Sequence, residues 1–129
     1  MARAKILVVD DESVVREFFA AVLKVSGFEF MIAGDGQEGL RLFAERPDEF
    51  DLVIVDVSMP KMSGVDLARR IFELKPHPNI ILMTGYNPSF IVPQDLQKMC
   101  GLLMKPFTTK ELIDAVEKCL KVERKNHPD

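Results

Sequence analysis

The sequence predicts an α/β protein with a parallel sheet covered by helices on both faces. Three observations carry that expectation. Short apolar runs recur five times, over 5–9, 28–33, 52–55, 79–83 and 101–104. Segments with apolar residues at helical spacing follow four of them, and the fourth run is followed by a less regular stretch with room for a short helix. Each run stops at a polar residue or a glycine-containing turn, which is where chemistry collects in open parallel sheets.

The elements follow in order. Lys5 to Val9 is a first strand ending in Asp10-Asp11-Glu12. A helix comes next, with Ser13 or Asp11 expected as its cap and Val14, Phe18, Ala21, Val22 and Val25 as its apolar positions; Gly27 stops it. Phe28 to Ala33 is the second strand. Asp35 caps the next helix with Glu38 three residues on, the spacing of a capping box, and Leu40, Phe43 and Ala44 lie before the break at Pro47. Leu52-Val53-Ile54-Val55 runs into Asp56 as a strand buried on both faces. Gly64 leads a helix through Val65, Ala68, Ile71 and Phe72, and Lys75-Pro76-His77-Pro78 breaks it because proline cannot continue a helix. Asn79 to Met83 is a fourth strand ending in Thr84-Gly85. Pro88 and Pro93 leave room for a short helix over 94–99, and Gly101 to Met104 is a fifth strand ending in Lys105-Pro106. Thr108-Thr109-Lys110-Glu111 is a capping box for a last helix with Leu112, Ile113, Val116 and Leu120 on its inner face. Five alternations with right-handed crossovers predict a flavodoxin-like (βα)5 doubly wound sheet of strand order 2-1-3-4-5. Residues 1–122 are expected to form one domain and 123–129 a polar tail or the start of a linker.

Composition narrows the function classes. The formal charge is 17 − 20 = −3, and the basic patch of a nucleic-acid-binding surface is missing. No stretch approaches the roughly 20 apolar residues of a membrane span, and the apolar run after Lys5 is too short for a secretory signal. A cytoplasmic protein without nucleic-acid or membrane partners is therefore expected. Cys100 and Cys119 each sit in an apolar pattern and read as reduced core thiols. His77 lies between two prolines and reads as a turn residue, and His127 lies in the polar tail. Neither clusters with a cysteine to suggest zinc.

In the 2-1-3-4-5 order, strands one and three are neighbours, so Asp10, Asp11 and Asp56 converge at their carboxyl ends. Three carboxylates together repel, and a hard dication such as Mg2+ relieves that with oxygen ligands. Strand four adds the Thr84 hydroxyl and strand five the Lys105 ammonium. A carboxylate nucleophile, a metal site, a lysine and a hydroxyl are the parts needed to accept a phosphoryl group on Asp56. Any one of these residues alone reads more simply as a cap, a strand threonine or a surface lysine.

As an ordered set, Val-Val-Asp10-Asp11-Glu, Asp56-Val-Ser-Met59-Pro60 with Gly64 beyond, Met-Thr84-Gly85 and Met-Lys105-Pro106-Phe107 resemble the receiver (response regulator) domains of two-component signal transduction, of the chemotaxis-receiver kind. The resemblance implies that Asp56 takes phosphate from a histidine kinase or histidine phosphotransfer protein. It implies that Asp11, Asp56 and the Ser58 carbonyl bind Mg2+ directly, with Asp10 acting through water. It further implies that Lys105 contacts the phosphate, that Thr84 reorients as the switch, and that the peptide before Pro106 is cis. Such a domain catalyses only its own phosphorylation and dephosphorylation. The chain departs from the family pattern at Leu102, where an aromatic switch residue is usual, and over 86–93, which lacks the familiar fourth-helix pattern. Ser58 and Tyr86 occupy the positions that tune phosphoryl lifetime.

Alternatives remain open at this level: a degenerate receiver acting only as a binding module, or a receiver excised from a hybrid sensor kinase. Gly34-Asp35-Gly36-Gln37-Glu38-Gly39 matches G-x-G-x-x-G, but it follows the second strand and leaves Asp10, Asp11, Thr84 and Lys105 idle. A haloacid-dehalogenase-type phosphatase needs an acid two residues after its nucleophile, where this chain has Ser58.

Overall fold

The computed structural model describes residues 4–85 and 91–125. Five strands, β1 (Lys5–Val9), β2 (Glu29–Ala33), β3 (Leu52–Asp56), β4 (Ile80–Thr84) and β5 (Gly101–Met104), alternate with five helices, α1 (Ser13–Val25), α2 (Gly36–Glu45), α3 (Gly64–Leu74), α4 (Pro93–Lys98) and α5 (Thr109–Lys125). All pairings are parallel, in the order β2-β1-β3-β4-β5. The flavodoxin-like order expected from the alternation is the observed one.

The period of two along the strands sorts the core into two layers. Leu7, Val9, Val53, Val55, Ile80 and Leu82 face α2 and α3, where Phe43, Leu67, Ala68 and Ile71 cover them. Ile6, Val8, Leu52, Ile54, Ile81, Met83 and Leu103 face α1 and α5, against Phe19, Leu23, Leu112 and Val116. All five residues of β3 are buried, as expected for a central strand.

Local chemistry explains most boundaries. Gly27 takes φ 85°, and the Phe28 N–H donates to the Leu23 carbonyl across it, closing α1 with a left-handed glycine. Asp35 accepts from the Glu38 N–H, and the Glu38 carboxylate reaches back to the Gly34 N–H. Thr108 and Glu111 form the reciprocal box predicted for α5. His77 sits in its turn at φ 57°. The second and third glycines of the G-x-G-x-x-G stretch are packing residues: a Cβ on Gly36 would lie 2.9 Å from Met62, and one on Gly39 2.7 Å from Val9.

Several expectations are corrected. The N-cap of α1 is Glu12, not Ser13 or Asp11, because the Asp10 carboxylate accepts the Glu12 N–H and turns the chain there. The buried face of α1 is also rotated. Phe19 and Leu23 are its fully buried residues, flanked by Val15, Phe18 and Val22, while Val14 and Val25 are 73% and 89% exposed. Both stripes satisfy helical spacing, and only packing on the sheet chooses between them. Ala44 on α2 faces outward. Helix α4 begins at Pro93, one residue earlier than expected, and α5 continues to Lys125, into the segment read as a tail. The readings that involve Tyr86 and the rest of 86–90 lie outside the described residues, as does His127.

The largest correction concerns the cysteines. Cys100 and Cys119, read as reduced thiols, form a disulfide that joins the start of β5 to α5. Both cysteines do lie in apolar surroundings, Cys119 in the core layer and Cys100 packed against it. What spacing could not reveal is that the β4–β5 register and the rotation of α5 bring the two residues together. No helix among the described residues is long and apolar enough to cross a membrane.

Candidate phosphoryl-acceptor site

The parallel register brings the ends of β1 and β3 side by side, pairing Val9 with Val55, so the next residues of both strands project from one edge of the sheet. There, Asp10, Asp11 and Asp56 each offer a carboxylate oxygen, all within 4.8 Å of one another. Asp10 is fully buried, Asp56 is 4% exposed and Asp11 faces solvent. Backbone hydrogen bonds fix this edge. The Asp10 N–H donates to Ala33, the Val57 N–H to Met83 and the Lys105 N–H to Thr84.

Lys105 closes the cluster from the end of β5. Its Nζ lies 3.0 Å from Asp10 Oδ2, 3.3 Å from Asp56 Oδ2 and 3.5 Å from Glu12 Oε1. The Lys105–Pro106 peptide is cis. Thr84 ends β4, 1% exposed, one residue beyond the Asp56–Met83 pairing. The Ser58 N–H points at Asp56 Oδ1 from 3.4 Å, and the Ser58 residue itself is exposed. Sequence reasoning thus named Asp10, Asp11, Asp56, Ser58, Thr84 and Lys105, and all six lie along one edge of the sheet. Leu102 is set apart. It packs on the α3 side of the sheet in the same apolar layer as Leu96 and Met99.

Burial, and then the neighbouring Asp10 charge, raise the Asp56 carboxyl above the ordinary aspartate range, with Lys105 pulling the other way. Burial alone would lower the Lys105 ammonium. The hydrogen bond to Asp10 and the charges of Asp10 and Asp56 outweigh it and hold the ammonium above its usual value. Three carboxylates against one ammonium leave 3 − 1 = 2 negative charges in an all-oxygen donor set. That set fits a hard dication such as Mg2+ and offers nothing to a soft metal.

Three participants escaped the sequence reading. Glu12 is a third carboxylate partner of Lys105, visible only as part of the acidic triplet. Arg16 donates from Nη1 to the Asp10 carbonyl at 3.0 Å and so ties α1 to the loop that carries the acids; its position one turn after Glu12 is the signal that could have found it. Arg69 of α3 and Asp95 of α4 form a two-bond ion pair, with Nε–Oδ1 at 3.1 Å and Nη2–Oδ2 at 2.6 Å. The pair crosses a cleft of about 640 Å³ beside the loop that follows Asp56. Nothing in the sequence marks two residues 26 apart as partners.

Gly64 explains why the loop after Asp56 can close. Its N–H donates to the Val57 carbonyl, and a Cβ there would collide with the Asp56 carbonyl.

Comparison with known proteins agrees with this geometry. The response regulator receiver domain family matches residues 6–117. The response regulator receiver protein CpdR of Brucella abortus is 31% identical over 90% of this chain and 96% of its own. The transcriptional regulatory protein PdtaR of Mycobacterium tuberculosis and the DNA-binding response regulator MtrA of Mycolicibacterium paratuberculosis, 36% and 34% identical, are longer, and the chain spans about half their length. A response regulator receiver domain protein from Clostridium thermocellum superposes with a TM-score of 0.87 at 34% identity, covering 94% of this chain and 97% of the other. The response regulator TrrA of Thermotoga maritima, solved with Mg2+–BeF, superposes with a TM-score of 0.81 at 35% identity over 91% and 99%. With sheet order, acidic edge, opposed lysine and family match in agreement, the chain belongs to the response regulator receiver domain family of two-component systems.

Proposed function

We propose that this receiver domain is a phosphoacceptor switch in which Asp56 takes a phosphoryl group from a histidine of a partner kinase or phosphotransfer protein. The observation that carries the reading is the Lys105 ammonium between Asp10 and Asp56 at the edge where Asp11 also lies.

An Asp56 carboxylate oxygen attacks phosphorus in line. The O–P bond forms as the P–N bond to the donor imidazole breaks, and the imidazole nitrogen keeps the electron pair and then takes a proton. Lys105 offsets charge on the transferred oxygens, and the Thr84 hydroxyl turns toward one of them. Asp10, Asp11, Asp56 and the Ser58 carbonyl are the residues that would hold Mg2+, which when bound neutralises the phosphoryl oxygens. Beside Lys105, Val14, Val15, Phe18, Pro106 and Phe107 line an apolar cleft of about 460 Å³. A protein donor that brings its histidine to Asp56 would cover this surface.

The domain then acts by population shift. Phosphate on Asp56 favours one arrangement only through its differential interactions with Thr84 and Lys105. With Leu102 in place of an aromatic, a coupled Thr–aromatic movement is unavailable to this chain. In this reading the domain catalyses only its own phosphorylation and dephosphorylation, and Ser58, where a phosphatase of this nucleophile type needs an acid, argues against that alternative.

Intact-protein mass after incubation with acetyl phosphate tests the reading. One phosphoryl adduct that requires both Mg2+ and Asp56 supports it. No adduct on wild type, or an equal adduct on Asp56→Asn, refutes it.

A further inference from the structure

The disulfide between Cys100 and Cys119 has no part in phosphoryl chemistry, yet it encloses the residues that deliver Lys105. Cys100 immediately precedes β5, and Cys119 lies on α5. The covalent ring therefore contains β5, Lys105, the cis Pro106 and the first turns of α5. Lys105 is the cation of the acidic edge, so this ring is the segment on which that edge depends.

The two sulfurs are not equivalent. Cys119 is 1% exposed, packed in the layer with Ile81, Leu103 and Val116. Cys100 is half-buried, in the short connection between α4 and β5. A thiol arriving from solvent meets Cys100 first. The backbone on both sides holds without the bond: the Cys100 N–H donates 2.9 Å to the Ile80 carbonyl, β5 is paired with β4, and α5 is anchored by Leu112 and Val116. Gly101 lies close against this bond, since a Cβ there would sit 3.3 Å from Ile81 and 3.6 Å from Cys119 Sγ. A domain of this size, with two complete apolar layers, does not need a disulfide to fold. A disulfide that is dispensable for folding and only partly buried at one of its two residues is placed for exchange with an external thiol.

We propose that Cys100–Cys119 is a reversible thiol–disulfide modification site. It exchanges with a small-molecule thiol–disulfide couple such as glutathione, and its oxidised form staples α5 to the start of β5. In the reducing direction, an external thiolate attacks Cys100 Sγ. The Cys100–Cys119 bond breaks, and Cys119 leaves as a thiolate and takes a proton. A second external thiolate attacks the external sulfur of the mixed disulfide and releases Cys100 as a thiolate, which is then protonated. Two external thiols become one external disulfide, and the protein gains two thiols. Oxidation is the reverse, with the external disulfide as oxidant.

The site stands independently of phosphate acceptance, and its test needs none. The full chain is equilibrated in glutathione buffers of stepped reduced-to-oxidised ratio, quenched with N-ethylmaleimide and weighed intact. The expected result is one transition between two labels and none, the same whether approached from the reduced or the oxidised protein. The oxidised form melts higher by roughly 10 °C, the size expected for closing a loop of this length. Its α5 backbone amides exchange at least tenfold more slowly than in the reduced form. Cys100→Ser and Cys100→Ala both melt like reduced wild type at every ratio, leaving Cys119 undisturbed in the core. Two labels at every ratio, a bond that survives excess dithiothreitol in the folded protein, or equal melting of the two forms would each overturn the proposal.

Discussion

Replacing Asp56 by asparagine should stabilise this protein in the absence of a divalent cation. The side chain keeps its shape and loses the charge that the folded state strains to hold. Asp10 and Asp11 place carboxylate oxygens within 4.8 Å of an Asp56 oxygen. At an effective dielectric near 20, each repels Asp56 by about 3 kcal/mol, less for the solvated Asp11. Lys105, 3.3 Å away, offsets about 5 kcal/mol by the same arithmetic. The Coulomb contributions therefore nearly cancel, and the cost of burying the carboxylate remains. Asparagine leaves Lys105 paired with Asp10 and Glu12. The net gain for Asp56→Asn comes to about 1–2 kcal/mol at pH 7, or roughly 4–8 °C in Tm for a domain of this size.

The pH dependence has a definite sign. The folded-state pKa of Asp56 is raised, so the folded protein binds more protons than the unfolded chain between the two pKa values. The penalty is fully present above the folded value and disappears as pH falls through it toward the unfolded value. Thermal melts of both proteins in chelator should therefore converge as pH falls from 7 to about 4. Added Mg2+ should raise the wild-type Tm and leave the variant nearly unmoved, because a cation held only by the folded state stabilises it by mass action. A variant less stable than wild type at pH 7 in chelator, or a difference independent of pH, would refute the electrostatic reasoning.

Further predictions follow from the same edge and its supports. Gly64→Ala should lower stability by about 3 kcal/mol or more in urea unfolding, because its Cβ meets the Asp56 carbonyl with no flexible atom to yield. Lys105→Ala should still accept phosphate from a small donor but give little change in α5 amide exchange on phosphorylation; an unimpaired response would remove Lys105 from the switch. Asp95→Asn should raise amide exchange across α4 several-fold while moving Tm little, because Arg69 is largely exposed and water screens the pair. Burial opposes but does not cancel the hydrogen bond with Arg69, which holds the Asp95 carboxyl below its ordinary range; wild-type α4 should therefore loosen as pH falls through that depressed value, and the variant should show no such step.

Much of this architecture was legible in the chain because several local signals agreed. The run from Leu52 to Asp56 was apolar at every position before the acid, which only a strand covered on both faces requires. The Thr108–Glu111 box and the left-handed Gly27 marked helix ends by backbone chemistry that acts within a few residues. The acidic edge was legible for a topological reason: once the strand order is known, strand ends become neighbours. What stayed hidden depended on rotation and distance. The stripes through Val14 and Val25 or through Phe19 and Leu23 fit α1 equally well until the sheet chooses one. The Arg69–Asp95 pair and the Cys100–Cys119 bond join residues whose proximity arises from packing between elements, for which a sequence has no local mark. Glu12 lay in view within its triplet, but its turn toward Lys105 follows from Asp10 taking the Glu12 N–H.

If Asp56 is the residue that accepts phosphate, the phosphoryl group can be located at that position on the chain. The protein is loaded from acetyl phosphate in Mg2+, reduced with borohydride, digested and sequenced by mass spectrometry. An aspartyl phosphate is converted to homoserine, so homoserine is expected at position 56, with Asp10 and Asp11 unmodified. Homoserine at another position, or aspartate intact at 56 in protein that carries phosphate, would contradict it.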